Sequence, residues 1–255
     1  MNYILNKKNL LLASFSLTLG FLTYNVDKAV IYHLFPPKSE KNRMIKINDK
    51  TMSHESLEAK LGVSINGEYS EEMANKIYQT YTYMDKMNSN LFNSLKEIVV
   101  VPKTYNINYL GQAFFDYKMV LSEKATIDVI IHEAAHNYSY NMPNDFWKNW
   151  ENISFGYYKN NYFPIFWAFV DRSFPIKEVD EKFIPKKGLL TDYSTLDKYE
   201  DIAEFVTNIY TENKYLTKVP KNEKELFIQK LALLLEYNFI SEKMYKKSLR
   251  VLLEN

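Results

Sequence analysis

At 255 residues the chain is long enough for one well-cored domain plus a short extension. Its 32 basic and 31 acidic residues nearly cancel to a net charge of +1, which excludes an electrostatic case for nucleic acid or an anionic membrane surface as partner. Cysteine is absent, and that rules out a disulfide scaffold, a thiolate-ligated metal, a catalytic thiol and a lipid-modified N-terminal cysteine together.

Met1 to Val26 has the layout of an export segment. Lys7 and Lys8 supply a positive start, and Leu10 to Tyr24 is uncharged and mostly apolar. That run is nearer in length to a signal-peptide core than to the about 20 residues a spanning helix needs. Thr18-Leu19-Gly20 is the best small-residue cleavage candidate, so a removed signal and a retained single membrane anchor both stay open, beside an N-terminal core helix. Pro36-Pro37 and the polar run Lys38 to Arg43 predict a linker over residues 27–55, with the folded domain at 56–255. His33 and His54 lie in or beside it, outside any motif, and are expected to be ordinary surface residues.

Leu57 to Leu61 predicts a short helix, and Ser64-Ile65-Asn66-Gly67 a turn punctuated by Asn-Gly. Ser70 then caps a long amphipathic helix, with Glu71 and Glu72 suiting its first turn and Met73, Ile77, Tyr81 and Met84 recurring at helical spacing as a core stripe. Glu97 to Val101 is a strand by its β-branched content, closed by Pro102. Ala113 to Leu121 predicts a second strand leading toward the next helix. It is either internal to a small sheet or an edge that an extended peptide could pair with.

The chemistry gathers in Ala125 to Tyr140. His132 and His136 stand one helical turn apart and project from one face, with Glu133 at its edge. Two imidazoles at this spacing can reach one zinc ion, and the adjacent carboxylate is placed to serve as a general base. Thr126 or Ser122 can cap the helix, and Ile127, Ile130, Ile131, Ala134 and Tyr138 fill its other face. The alternative is a pair of core histidines beside a chance glutamate, but only four histidines are present in the whole chain.

After Asn141 the sequence becomes aromatic, from Phe146, Trp147 and Trp150 through Tyr157 to Phe169, which predicts a packed second lobe. Helices are expected within Asp145 to Asn152 and around Phe163 to Val170, a loop over Phe174 to Leu190, and further helices at Glu223 to Asn238 and Ser241 to Leu253.

Two histidines do not complete a catalytic zinc site, and a third protein ligand is expected. Positions 139 and 142 are Ser and Met, and neither remaining histidine lies downstream, so the ligand is expected to be a carboxylate in Tyr199 to Val206. There Ile202, Phe205, Val206, Ile209 and Tyr210 form an apolar stripe with Glu200 and Glu204 on the opposite face. Such a pair is ordinarily a solvated acidic face. Set against the histidine helix, Glu200 would bind the metal and Glu204 would accept a hydrogen bond from a ligand imidazole.

His132-Glu133-x-x-His136 followed by Tyr193-x6-Glu200-x3-Glu204 resembles the gluzincin metallopeptidases of the lethal-factor type, a group that includes secreted Pro-Pro endopeptidases and the Mlc titration factor peptidases. The resemblance covers about Gly111 to Tyr210. It implies an α+β, two-lobed zincin-like fold: a small sheet plus active-site helix, then a mostly helical C-terminal lobe. It further implies a Zn2+ cofactor held by His132, His136 and Glu200, with Glu133 as general base. Tyr193 would be the oxyanion donor, Glu204 the support for a ligand imidazole, and a protein or peptide the substrate. The interval between His136 and Glu200 is longer than in the smallest secreted members, so their substrate preference is not carried over. The first functional expectation is a secreted or cell-surface zinc endopeptidase. The alternatives are an intracellular regulatory metallopeptidase, whose N-terminus would belong to the fold, and a non-catalytic zinc-binding protein on a zincin scaffold. Nothing in the sequence specifies an oligomeric state.

Overall fold

The computed structural model describes residues 38–87, 89–102, 110–154, 157 and 184–254, and these form an α+β fold. It opens with a hairpin of β1 (Met44–Ile47) and β2 (Lys50–Ser53). The two turn residues, Asn48 and Asp49, both take positive φ, as a tight two-residue hairpin requires. Ile45 and Ile47 are buried in the main core, so residues 44–53 belong to the folded body rather than to the linker expected over 27–55. In Met44–Ile47 burial alternates, with Ile45 and Ile47 inward and Met44 and Lys46 outward, a half-buried strand that the exposed methionine and the polar flanks obscured.

His54 opens α1 (His54–Leu61), which Ser53 caps by accepting the Ser56 N–H. The expectation of a surface histidine fails here. His54 is 2% exposed, with Nδ1 bonded to the Tyr69 hydroxyl and Nε2 3.2 Å from Glu58.

Ser64–Gly67 is a strand, β3, and not a turn. Gly67 sits at φ 99° where the chain crosses close to the next strand; an added Cβ would lie 2.1 Å from the Val100 carbonyl oxygen. β4 (Glu97–Val101) pairs parallel with β3 through the crossover helix α2 (Glu71–Lys86), which Ser70 caps as predicted. Met73, Ile77 and Met84 of α2 are buried and Tyr81 packs at the core's margin.

The single strand expected over Ala113 to Leu121 is two: β5 (Gly111–Phe114) and β6 (Lys118–Ser122). The chain reverses through Phe115 to Tyr117, the last at φ 68°, so β5 runs antiparallel to β6 while β6 runs parallel to β4. Among the described residues the order β3-β4-β6-β5 places β3 and β5 at the two edges of the sheet. Ile98, Val100, Met119 and Leu121 face the main core, and Val99, Val101, Val120 and Phe114 cluster on the other face.

The remaining helices are α3 (Ile127–Ser139), α4 (Asn144–Ile153), α5 (Lys198–Tyr210), α6 (Lys224–Glu236) and α7 (Glu242–Glu254). Four residues separate β6 from α3, which packs along α5, against β5 and β6, and against α2. Of the expected loop over Phe174 to Leu190, residues 184–190 are described and carry a tight turn closed by the Lys186–Leu189 bridge. The helix expected around Phe163 to Val170 and the segment Met1 to Val26 lie outside the described residues. Among the described residues no helix is long and apolar enough to cross a membrane.

Candidate metal centre

Two helices position the site. α3 starts at Thr126, whose hydroxyl accepts the Val129 N–H, and the Asn137 amide donates to the Lys118 carbonyl at 3.0 Å, tying the helix to β6. α5 starts at Asp197, whose carboxylate accepts the N–H groups of Tyr199 and Glu200 at 2.9 and 3.0 Å. That cap holds the backbone of Glu200 in the first turn, three residues from the helix start.

His132 and His136 point from α3 toward the polar face of α5. Their Nε2 atoms are 3.0 Å apart, and Glu200 Oε2 lies 3.1 Å from the first and 3.2 Å from the second. Donors about 2.0–2.1 Å from a tetrahedral ion stand roughly 3.3 Å from one another. The triangle therefore suits one small divalent cation with two nitrogens and one oxygen, the three residues that meet here. His132 Nδ1 is 3.2 Å from Glu204 Oε1, so its N–H donates to that carboxylate and the ring is turned with Nε2 toward Glu200. His136 has no such support: among the described residues its buried Nδ1 has no hydrogen-bond partner, and packing holds the ring, which stacks on Tyr140 at 6.1 Å between centroids.

Electrostatics join these groups tightly. Burial disfavours a charged His132, but hydrogen bonds with Glu200 and Glu204 outweigh it and raise the imidazole pKa well above its ordinary value. Burial would likewise raise the Glu200 carboxyl, yet His136 and His132 hold it well below the usual carboxylate range.

Glu133 is 7% exposed and lies under the edge strand. Gly111 is what permits this: an added Cβ would sit 2.7 Å from Glu133 Cγ and from Val129 Cγ1. Burial pushes the Glu133 carboxyl up, opposed by the charges of His132 and His136 and by a hydrogen bond from the Ala113 backbone. Tyr193 stands on a 3-10 turn, Tyr193–Thr195, with its ring 6.1 Å from that of His132. The charge of Glu200, together with burial, raises its phenol pKa and keeps it protonated.

All six expected residues, His132, Glu133, His136, Tyr193, Glu200 and Glu204, thus meet in one place. Sequence reasoning missed their supports. Gly111 could have been found as a glycine inside a strand, and Asp197 as a capping residue three before Glu200. Thr191, which donates to Glu204 Oε2 at 3.0 Å, gave no signal. Asp201 and Lys230, fully buried and paired at 2.6 Å, were each detectable as a charge on an otherwise apolar helix face.

The site is a two-histidine, one-glutamate candidate metal centre with a buried carboxylate and a phenol at its border. No family profile, curated protein sequence or solved structure matches the chain.

Proposed function

We propose that the protein is a zinc-dependent endopeptidase. The observation that carries this reading is the approach of His132 Nε2, His136 Nε2 and Glu200 Oε2 to within 3.0–3.2 Å of one another, with Glu133 adjacent in the chain. Those three atoms would hold the ion, and an imidazole-rich set with one carboxylate favours zinc over magnesium or calcium. When bound, zinc supplies Lewis acidity toward a carbonyl oxygen and brings the pKa of water near neutrality.

The chain's own groups would do the rest. Glu133, kept from bulk solvent, would take the proton released as water attacks a peptide carbonyl and hand it to the leaving amine. The protonated Tyr193 phenol would donate to the oxyanion of the tetrahedral intermediate. Edge strand β5 supports the choice of a peptide substrate, because an extended main chain adding to the sheet there would run beside α3. We keep the zincin-like two-lobed architecture, and export or tethering through Leu10 to Tyr24, within this proposal. Cell fractionation tests the latter.

The test of the activity is metal analysis of the purified protein together with mass-spectrometric digestion of a peptide library, with and without chelator. Cleavage that requires zinc is expected, and Glu133→Gln should retain zinc while abolishing it. Glu133→Gln that cleaves as fast as the wild type would remove the assigned base. Zinc binding without cleavage would favour a binding protein.

A further inference from the structure

We propose that Thr191 is a positioning residue for Tyr193, acting through a single carboxylate that also orients His132; this rests on the peptidase reading above. Thr191 and Ser194, which flank Asp192 and Tyr193, are both fully buried. They are bonded reciprocally: the Thr191 N–H donates to Ser194 Oγ at 3.2 Å, and the Ser194 N–H donates to Thr191 Oγ1 at 3.0 Å. The two hydroxyls are 3.0 Å apart, and Thr191 Oγ1 is 3.0 Å from Glu204 Oε2.

The protons can be assigned. Glu204 has only acceptors, so the Thr191 hydroxyl must donate to it. Thr191 Oγ1 is then left to accept the Ser194 N–H and the Ser194 O–H, which uses its two lone pairs. Glu204 divides its oxygens, Oε1 to the His132 N–H and Oε2 to Thr191. One side chain on α5 therefore sets both the ring of a metal ligand and the turn that carries the phenol. An apolar residue at 191 would leave the turn's internal bond from the Ser194 N–H and the Glu204 link both unmade in a buried place, where the polar groups must find new partners by moving the turn.

The test uses the zinc-loaded full-length chain with Thr191→Val, which keeps the shape and removes the hydroxyl, and Thr191→Ser, which restores it. Thr191→Val should lower kcat by about ten- to a hundredfold, the scale of a misplaced catalytic group, with KM and zinc content near wild type. Thr191→Ser should recover most of the loss. Thr191→Val combined with Tyr193→Phe should be no slower than Tyr193→Phe alone, because Glu204 keeps its separate Oε1 contact with His132 and the loss of the threonine hydroxyl reaches turnover through the phenol. A readout independent of turnover is the fluorine resonance of 3-fluorotyrosine at position 193, which should shift in Thr191→Val and return in Thr191→Ser. If Thr191→Val does not fold, Ser194→Ala should shift the same resonance. Additive losses in the double variant, or a fluorine signal unmoved by either substitution, overturn the inference. Zinc-loaded wild type without turnover, but with a resonance that follows Thr191, instead sinks the peptidase reading and leaves the placement of Tyr193 by Thr191 supported.

Discussion

Replacing Lys230 by methionine removes one charge from the most deeply buried ion pair among the described residues. Asp201 Oδ2 accepts from Lys230 Nζ at 2.6 Å, from Trp150 Nε1 and Ser154 Oγ at 2.9 Å each, and from the Tyr157 hydroxyl at 2.7 Å. The Lys230 ammonium also lies 4.3 Å from the centre of the Trp150 ring. Methionine fills nearly the same volume, so little cavity cost is expected, but the Asp201 carboxylate is left buried without its counter-charge. Breaking such a pair from one side costs about 3–5 kcal/mol. The three neutral donors that remain place the expected loss near the lower end, about 3 kcal/mol, or roughly 6–12 °C in Tm for a chain of this size. The pair variant Asp201→Asn with Lys230→Met abolishes both charges and should recover most of that loss. pH adds a second readout. Burial lowers the Lys230 pKa below its ordinary 10.5 despite the pull of Asp201. Between the lowered value and 10.5 the unfolded chain holds this proton more tightly, so the lysine's contribution to stability rises with pH there, and that slope should vanish in Lys230→Met. Urea unfolding followed by far-UV circular dichroism measures all three proteins. A single variant within about 0.5 kcal/mol of wild type would refute the assignment of a strongly coupled pair.

Tyr193→Phe should fold normally and lose about a hundred- to a thousandfold in turnover, measured on any peptide the library identifies; unchanged turnover would return Tyr193 to a packing role. Gly111→Ala forces a methyl to 2.7 Å from Glu133 Cγ and Val129 Cγ1, and should cost about 1–3 kcal/mol in unfolding experiments while displacing the base and lowering kcat. Full activity and stability together would show that the strand can retreat. Metal binding must expel the His132 proton, which is held with a pKa raised above 6.5, so apparent zinc affinity in chelator competition should begin to fall above pH 6.5 as the solution is acidified. In the metal-free chain the sign is opposite: the stability from protonated His132 is complete below 6.5 and is lost as pH rises through the raised value. A zinc affinity that starts to fall only at the ordinary imidazole pKa would refute the coupling to Glu200 and Glu204.

The site was legible because its parts are periodic. His132 and His136 at i and i+4, and Glu200 and Glu204 at the same spacing, each place chemistry on one face of a helix, so only the meeting of the two helices had to be inferred. The supports were harder because they come from distant positions with no shared period: Thr191 from a turn, Gly111 from an edge strand, Lys230 from α6. The fold's errors have the same origin. Phe115-Asp116-Tyr117 reads as a continuation of an apolar strand, and only the left-handed Tyr117 turns it into a hairpin. Asn66-Gly67 reads as a turn, because the contact that makes Gly67 necessary is with Val100, far along the chain. His54 looked superficial for want of a local motif, while its partner Tyr69 lies fifteen residues on.

Asp201 follows Glu200 directly on α5, about 100° further round the helix, so that one pairs with Lys230 in the core and the other meets the imidazoles of α3. Hydrogen bonds from α4, α6 and Tyr157 to a single Asp201 oxygen therefore fix not only where α5 lies but how far it is turned about its axis. A side-chain head lies about 5–6 Å from a helix axis, so a turn of about 10° carries it about 1 Å. Metal ligands tolerate errors of about 0.2 Å. Apolar contacts alone resist sliding and rotation weakly, whereas a four-donor network around one oxygen has a single register. A buried ion pair is weak evidence for stability, since an apolar replacement can match it, so the role expected of this pair beside Glu200 is orientation. The consequence separates the two roles. Asp201→Asn with Lys230→Met should be about as stable as wild type but bind zinc more weakly by competition, and equal zinc affinity in that variant would leave the pair as packing alone.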